Sequence, residues 1–157
     1  MCSSDLGCRQ LEDISPLAGL PLRSLALDGA IVQNLAPLTA MPLEELVLRC
    51  PTITNIAALA GMPLRKLEVN VIRVPDLSPL AGLPVRQLFL GGTSYVSRDL
   101  SVLRTCRQLE ELRTDYNALD WTVLLDIPTL KTVTRHSPLK PMPPAQFIAE
   151  QTGPKTK

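Results

Sequence analysis

Two acidic pairs, Glu44-Glu45 and Glu110-Glu111, are the residues whose type and spacing come closest to acid–base chemistry. Paired carboxylates act as general acid and base when burial or a neighbouring charge pushes their pKa values apart. Both pairs, with Asp115 nearby, fall on or beside strand positions that we expect to be exposed, and no apolar pocket is evident around them. We therefore interpret them as a solvated rim and predict that this chain is not an enzyme.

The other reactive residue types are isolated from one another. His136, the single histidine, is predicted to lie in an exposed loop, so neither a serine triad nor a metal cluster assembles around it. Gly91-Gly92 lacks the trailing lysine of a phosphate-binding loop and is interpreted as a turn. The cysteines are too widely spaced for a zinc site and too few for a disulfide scaffold; they are Cys2, Cys8, Cys50 and Cys106. We predict no cofactor and no metal, with Cys106 serving as a small buried hydrophobe.

Composition narrows the classes of partner. The 157 residues are 45% hydrophobic, which is enough for one domain with a substantial core. The net charge of +1 supplies no field that would attract nucleic acid or an anionic membrane, and no small-molecule substrate is evident. No run approaches the roughly 18 apolar residues of a membrane span, and the first residues do not resemble a signal peptide. We leave the compartment open and favour the cytoplasm for this stretch.

An internal repeat is the strongest pattern in the chain. Segments of the form apolar-x-x-Leu begin at Ile14, Leu35, Ile56, Leu77 and Leu100, at steps of 21, 21, 21 and 23 residues. A degenerate unit opens 21 residues further on, at Trp121. The sequence therefore predicts about six units in an array over residues 7–134.

Each unit also contains a short run in which apolar residues alternate as in a strand, for example Leu25 with Leu27 and Leu46 with Leu48. One such strand cannot bury its inner face alone, so stacked copies are expected to form a parallel sheet that lines a concave surface. The predicted fold class is an α/β solenoid, with short parallel strands on the concave face and 3₁₀ or short helical turns on the convex face.

The turns have their own pattern. Ser15 and Ser78 are predicted to cap a helical turn, with a proline at its first position and a glycine at its end. Leu20 and Leu83 are expected to point into the core, three residues after Leu17 and Leu80.

The repeat resembles the leucine-rich repeat, whose period of roughly 20 to 29 residues includes this one. Pro-Leu-Ala-Gly-Leu-Pro units followed by Asp115-Tyr-Asn, Leu130-Lys-Thr-Val and Pro144-Ala-Gln-Phe resemble the C-terminal repeat tails of bacterial serine/threonine protein kinases, over roughly residues 7–151. The resemblance implies a larger signalling protein. No kinase residue is carried over, because the glycine-rich loop, the catalytic Asp loop and the metal-binding Asp-Phe-Gly do not occur in this chain.

The two ends of the array differ. Residues 7–13 align with the second half of a repeat, so the first unit is truncated and we expect no strand before it. Residues 1–6 resemble a translated sequencing-adapter end, and we interpret them as a sequencing or gene-model artefact; a short natural cap is the alternative. We expect an exposed apolar edge there. Residues 135–151 are predicted to cap the other end through Phe147 and Ile148, followed by a polar tail over residues 152–157.

The function predicted from these features is a non-catalytic protein-interaction module, the regulatory or scaffold part of a larger bacterial signalling protein. The alternatives are a fragment of a serine/threonine kinase and an extracellular, internalin-like repeat protein. An exposed aromatic with mixed charges has the composition of a protein-binding patch. The candidate partner-binding residues on the concave face are Val47, Lys66, Glu68, Gln87, Phe89, Glu111 and Arg113.

Overall fold

Each repeat contributes one short strand and one turn of 3₁₀ helix. The computed structural model describes residues 3–6, by their backbone, and residues 11–70, 74–91, 99–114, 120–135 and 140–152. Within these ranges seven parallel strands form one sheet in chain order. The strands are β1 (Ser3–Leu6), β2 (Ser24–Asp28), β3 (Glu45–Arg49), β4 (Lys66–Asn70), β5 (Gln87–Gly91), β6 (Glu111–Thr114) and β7 (Thr132–Arg135). The predicted solenoid of parallel strands is confirmed.

The connections on the opposite side are 3₁₀ helices, also one per repeat. They are η1 (Ser15–Leu17), η2 (Ala36–Leu38), η3 (Ala57–Leu59), η4 (Ser78–Leu80), η5 (Ser101–Thr105) and η6 (Thr122–Asp126). A single α-helix within the described residues, α1 (Pro144–Thr152), follows the last strand.

A repeated backbone hydrogen-bond pattern sets the strand register. The amides of Glu44 and Glu45 both donate to the carbonyl oxygen of Arg23, at 2.8 and 2.9 Å. The next repeat does the same, with Arg65 and Lys66 donating to the carbonyl of Glu44. Because side chains alternate between the two faces of a strand, this fixed register keeps equivalent side chains of every repeat in line.

An Asp or Asn side chain begins each 3₁₀ helix, which corrects the predicted serine caps. The amide of Ser15 donates to Asp13 Oδ1 at 2.8 Å, and the amide of Ser78 donates to Asp76 Oδ1 at the same distance. The Ser78 hydroxyl itself donates to Asp76 Oδ2. A carboxylate or amide two residues back reaches the first free N–H as an Asx turn, so the serine oxygen is not needed as the acceptor. The acceptors in the other repeats are Asn34, Asn55, Asp99 and Asp120.

The core lies between the sheet and the turns and is aliphatic. Leu80 and Leu83 are buried as predicted, but Leu20 is 40% exposed, which contradicts the prediction for that repeat. Met41, at the same repeat position as Leu20, is only 2% exposed. The difference arises because η1 packs against one neighbouring 3₁₀ helix, η2, whereas η2 has a neighbour on both sides among the described residues.

The first strand also corrects a sequence expectation. We expected no strand before Gly7, yet Ser3–Leu6 form β1, which pairs with β2 in the register Ser3 to Ser24. A β-strand is specified largely by the backbone groups of its neighbour, so a short non-repeat sequence can take this place on the open edge of β2. On the turn side of this end, Leu20 is an exposed apolar residue. The origin of residues 1–6 stays a prediction.

The far end of the sheet is covered by the segment after β7. Val133 and Met142 exchange two backbone hydrogen bonds, of 2.8 and 3.0 Å, in an antiparallel bridge that leads into α1. Phe147 of α1 is 1% exposed and meets Trp121 edge to face, with ring centroids 4.9 Å apart. Ile148 packs against the same core.

Candidate protein-binding surface

The strand register brings the seven candidate residues together on the concave face. Lys66, Gln87 and Glu111 are successive register partners across β4, β5 and β6. Two residues further along each strand, on the same face, lies a second row that consists of Val47, Glu68, Phe89 and Arg113. The residues between these rows, such as Leu67 and Leu88, are buried in the core. The alternation expected from the sequence therefore aims these side chains away from the core.

Phe89 forms the apolar centre of this face. The guanidinium carbon of Arg113 lies 4.7 Å from the centroid of the Phe89 ring. We expected Phe89 and Val47 to be exposed, but both are half-buried. A stacked guanidinium at this distance is an attractive cation–π contact of about 0.5–1 kcal/mol at an exposed site. Arg113 therefore orients the aromatic ring within the row.

An ion triad lies beside Phe89 and was not predicted from the sequence. Arg49 Nε donates to Glu68 Oε1 at 2.7 Å, and Arg49 Nη1 donates to Asp28 Oδ2 at 3.1 Å. The hydrogen bond with Glu68 is the main reason that the pKa of Arg49 is raised above its ordinary value. Glu68, whose side chain is 17% exposed, therefore already has a cationic partner in Arg49, which it shares with Asp28.

An open concavity of about 500 Å³ lies over β4 to β7. Phe89 and five of the other candidate residues line this concavity. Three further lining residues were not predicted from the sequence: Thr132, Thr134 and Pro141. The two threonines are the β7 register partners of Glu111 and Arg113. Aligning β7 with the earlier strands would have found them, whereas Pro141 follows the last repeat and has no repeat signal.

The residue directly before each strand from β2 to β7 is charged, and these side chains form a further row, which we call the leading edge. It consists of Arg23, Glu44, Arg65, Arg86, Glu110 and Lys131. Glu44 forms ion pairs with Arg23 and, at 3.6 Å, with Arg65. Lys131 Nζ lies 2.5 Å from Glu110 Oε2, and this contact lowers the pKa of Glu110. The sequence signal for this row was a charged residue that recurs at steps of 21 residues, with one step of 24 between Arg86 and Glu110.

The acidic pairs belong to this rim. Glu44 and Glu110 are leading-edge ion-pair partners, and Glu111 Oε2 accepts a hydrogen bond of 2.9 Å from the Gln87 amide. No group of three or more His, Cys, Asp or Glu side chains is arranged to hold a metal ion in the described part of the chain. Glu44, Glu110 and Glu111 therefore have structural partners on the surface.

The remaining candidate chemistry is structural or lies outside the described residues. Cys106 is fully buried, as predicted, and its Sγ donates to the carbonyl of Leu80 at 3.2 Å. Cys50, which directly follows β3, is also a buried free cysteine, and burial raises the pKa of its thiol to about 11. Gly91 is the last residue of β5 and not a turn, because the strand pairing with Asn70 includes it. His136, Asp115 and Gly92 lie outside the described residues.

The fold and this surface define a leucine-rich repeat protein. The chain is similar to the crystal structure of internalin C2 from Listeria monocytogenes, with a TM-score of 0.72 and 30% sequence identity. It is also similar to an internalin (inlF) from the same organism, with a TM-score of 0.71 and 26% identity. The aligned part is 80% of this chain in both cases, but only 56% and 38% of those proteins.

These similarities support a bacterial leucine-rich repeat protein of the type that acts as an interaction module. They do not support the resemblance to kinase tails, which stays a prediction. A scan against protein-family models gave no match, and a search of curated proteins gave none either. None of the helices in the described residues is long and apolar enough to span a membrane.

Proposed function

We propose that the chain is a non-catalytic module that binds another protein on the concave face of its sheet, over β4 to β6. The observation that carries the proposal is the concavity of about 500 Å³ with Phe89 at its centre and Arg113 stacked on the ring. Aromatic and arginine side chains in a partly desolvated depression are the residues that contribute most at protein interfaces.

The strand scaffold favours this use of the surface. A parallel sheet with fixed register holds Phe89, Lys66 and Glu111 on short strands and not on loops, so little conformational entropy is lost when a partner binds. Glu68 is already paired with Arg49, so a partner that covers the Glu68 carboxylate does not have to supply a cation for it.

A display selection tests the proposal. A library of random twelve-residue peptides is selected on the folded chain, and the recovered peptides are measured by fluorescence anisotropy against Phe89→Ala. We expect Phe89→Ala to weaken binding by at least about tenfold, since a central aromatic truncation costs on the order of 2 kcal/mol. The matched control is Leu125→Ala, because Leu125 is an exposed apolar residue of η6 on the opposite side. Equal affinity for both variants would contradict the proposal.

The finer assignment is the regulatory or scaffold C-terminal part of a larger bacterial signalling protein, for which the likeness to kinase repeat tails is the support. A kinase fragment and an internalin-like extracellular protein are the alternatives, and the similarity to internalin C2 favours the latter over an unrelated repeat protein. The genomic sequence upstream of this chain separates them. A kinase domain, a signal peptide or further repeats would each identify one of the three.

A further inference from the structure

The leading edge has one place where its alternation of charge fails. Along the strand order its side chains are basic, acidic, basic, basic, acidic and basic, so the two consecutive cations are Arg65 and Arg86, which directly precede the neighbouring strands β4 and β5. Like charges on neighbouring strands repel, which makes this pair unfavourable for the isolated protein. Lys66, the first residue of β4, adds a third cation at the same point.

Two of the carboxylates beside this cluster, Glu44 and Glu110, already have partners. Glu44 on one side is bonded to Arg23, and its contact with Arg65 is the longer one, at 3.6 Å. Glu110 on the other side is bonded to Lys131 at 2.5 Å. Arg86 and Lys66 form no salt bridge with any residue in the described ranges. Glu45 is the register partner of Lys66, and the charge of Arg86 contributes to the lowered pKa of Glu110.

This cationic cluster is continuous with the Phe89 concavity. Lys66 and Gln87 line both the large concavity and a smaller depression that also contains Arg65, Arg86, Glu45, Glu110 and Glu111. Phe89 lies two residues after Gln87 on β5, on the same face. Phe89 is therefore about 7 Å further along β5 than Gln87, and Lys66 lies on the neighbouring strand β4, about 4.8 Å from Gln87. One peptide segment can contact both.

We propose that the cluster of Arg65, Lys66 and Arg86 is the anion-recognition part of the partner-binding surface. The partner segment presents an Asp or Glu carboxylate to this cluster and an apolar side chain to Phe89. The inference rests on the proposed function and adds the chemistry of the partner to it. The flanking Glu44-Glu45 and Glu110-Glu111 pairs restrict the attraction to the two middle strands, so a segment with one acidic site next to an apolar residue fits better than a long polyanion.

The composition of the selected peptides tests this inference. We expect peptides recovered on the wild-type chain to be enriched in Asp or Glu beside an apolar residue. Arg86→Glu should weaken their binding on the order of tenfold at low salt, with a smaller effect at high salt, since exposed charges are screened. Arg107→Glu is the matched control, because Arg107 is an exposed cation beyond η5, outside both depressions, and it should leave the affinity unchanged.

The outcomes separate this inference from the proposed function. Peptides that need Phe89 but show no acidic enrichment, or that bind Arg86→Glu as well as wild type, overturn the inference and leave the concave face as the binding surface. Selection of no peptide contradicts the proposed function and this inference with it. A single-stranded oligodeoxynucleotide is the second probe. If it displaces the peptides and loses its own binding in Arg86→Glu, the cluster recognises phosphate and not a protein carboxylate, which also overturns the inference.

Discussion

Replacing Phe147 with alanine should release the C-terminal cap from the end of the repeat array. Phe147 is 1% exposed and contacts Trp121, with an interplanar angle of 74°. Truncation of a buried Phe costs about 3–5 kcal/mol, of which the edge-to-face contact accounts for about 0.5–1.5 kcal/mol. With a urea dependence of roughly 2 kcal/mol per molar, a loss of about 3 kcal/mol lowers the unfolding midpoint by about 1.5 M.

Fluorescence provides the assay, because Trp121 is the single tryptophan of the chain and is only 8% exposed. In Phe147→Ala the emission should shift to longer wavelength before the ellipticity of the sheet is lost, since α1 can detach while the strands stay paired. Phe147→Leu keeps the apolar contact without the ring, and should cost about 1–1.5 kcal/mol with little shift in emission. An unchanged emission and midpoint in Phe147→Ala would refute the packing of α1 on the last repeat.

Three further predictions concern the array itself. In urea unfolding, Leu20→Ser should lower the free energy of unfolding by less than about 1 kcal/mol, because Leu20 is 40% exposed. Met41→Ser, at the same position of the next repeat, should lower it by about 3 kcal/mol, because Met41 is 2% exposed. Equal losses would contradict the one-sided packing of η1. Cys50 should resist iodoacetamide at pH 8 in the folded chain and react in denaturant, since burial raises the pKa of its thiol to about 11. Mass spectrometry of the peptide that contains Cys50 measures the extent of labelling. Fast labelling without denaturant would contradict this prediction. The hydrogen bonds from Ser78 lower the pKa of Asp76. The ionised Asp76 carboxylate therefore contributes its full stabilisation at a pH well above the ordinary pKa of 3.8, and this stabilisation is lost as the pH falls through the lowered pKa. Asp76→Asn keeps the acceptor, as Asn34 and Asn55 do, and should therefore leave the stability at pH 7 nearly unchanged while flattening its decline in acid; a large loss at pH 7 would argue against the Asx role.

The repeat period was enough to predict the sheet, its register and the face on which Phe89 lies. A 21-residue step and an alternating strand align Lys66 with Gln87. Glu111, 24 residues after Gln87, is aligned by the apolar pattern of its own strand. The period also contained the leading edge, because a charged residue recurs directly before each strand from β2 to β7.

Other features depend on contacts that the period does not encode. Both Leu20 and Met41 fit the same apolar position, and only the absence of a second neighbouring turn among the described residues makes Leu20 exposed. The ion triad needs Arg49 to reach sideways to both Asp28 and Glu68, which is a matter of side-chain length and rotamer. The strand formed by Ser3–Leu6 depends on the open edge of β2 and not on a repeat sequence.

The most direct test of protein binding by the concave face is site-specific photo-cross-linking to a peptide recovered from the display selection. Gln87, at the junction of the two depressions, is replaced by benzoylphenylalanine in one sample, and Leu125 on η6 in another. The account predicts a cross-linked product from position 87 and none from position 125. A product from position 125 alone, or equal yields from the two positions, would show that the partner does not lie on the concave face.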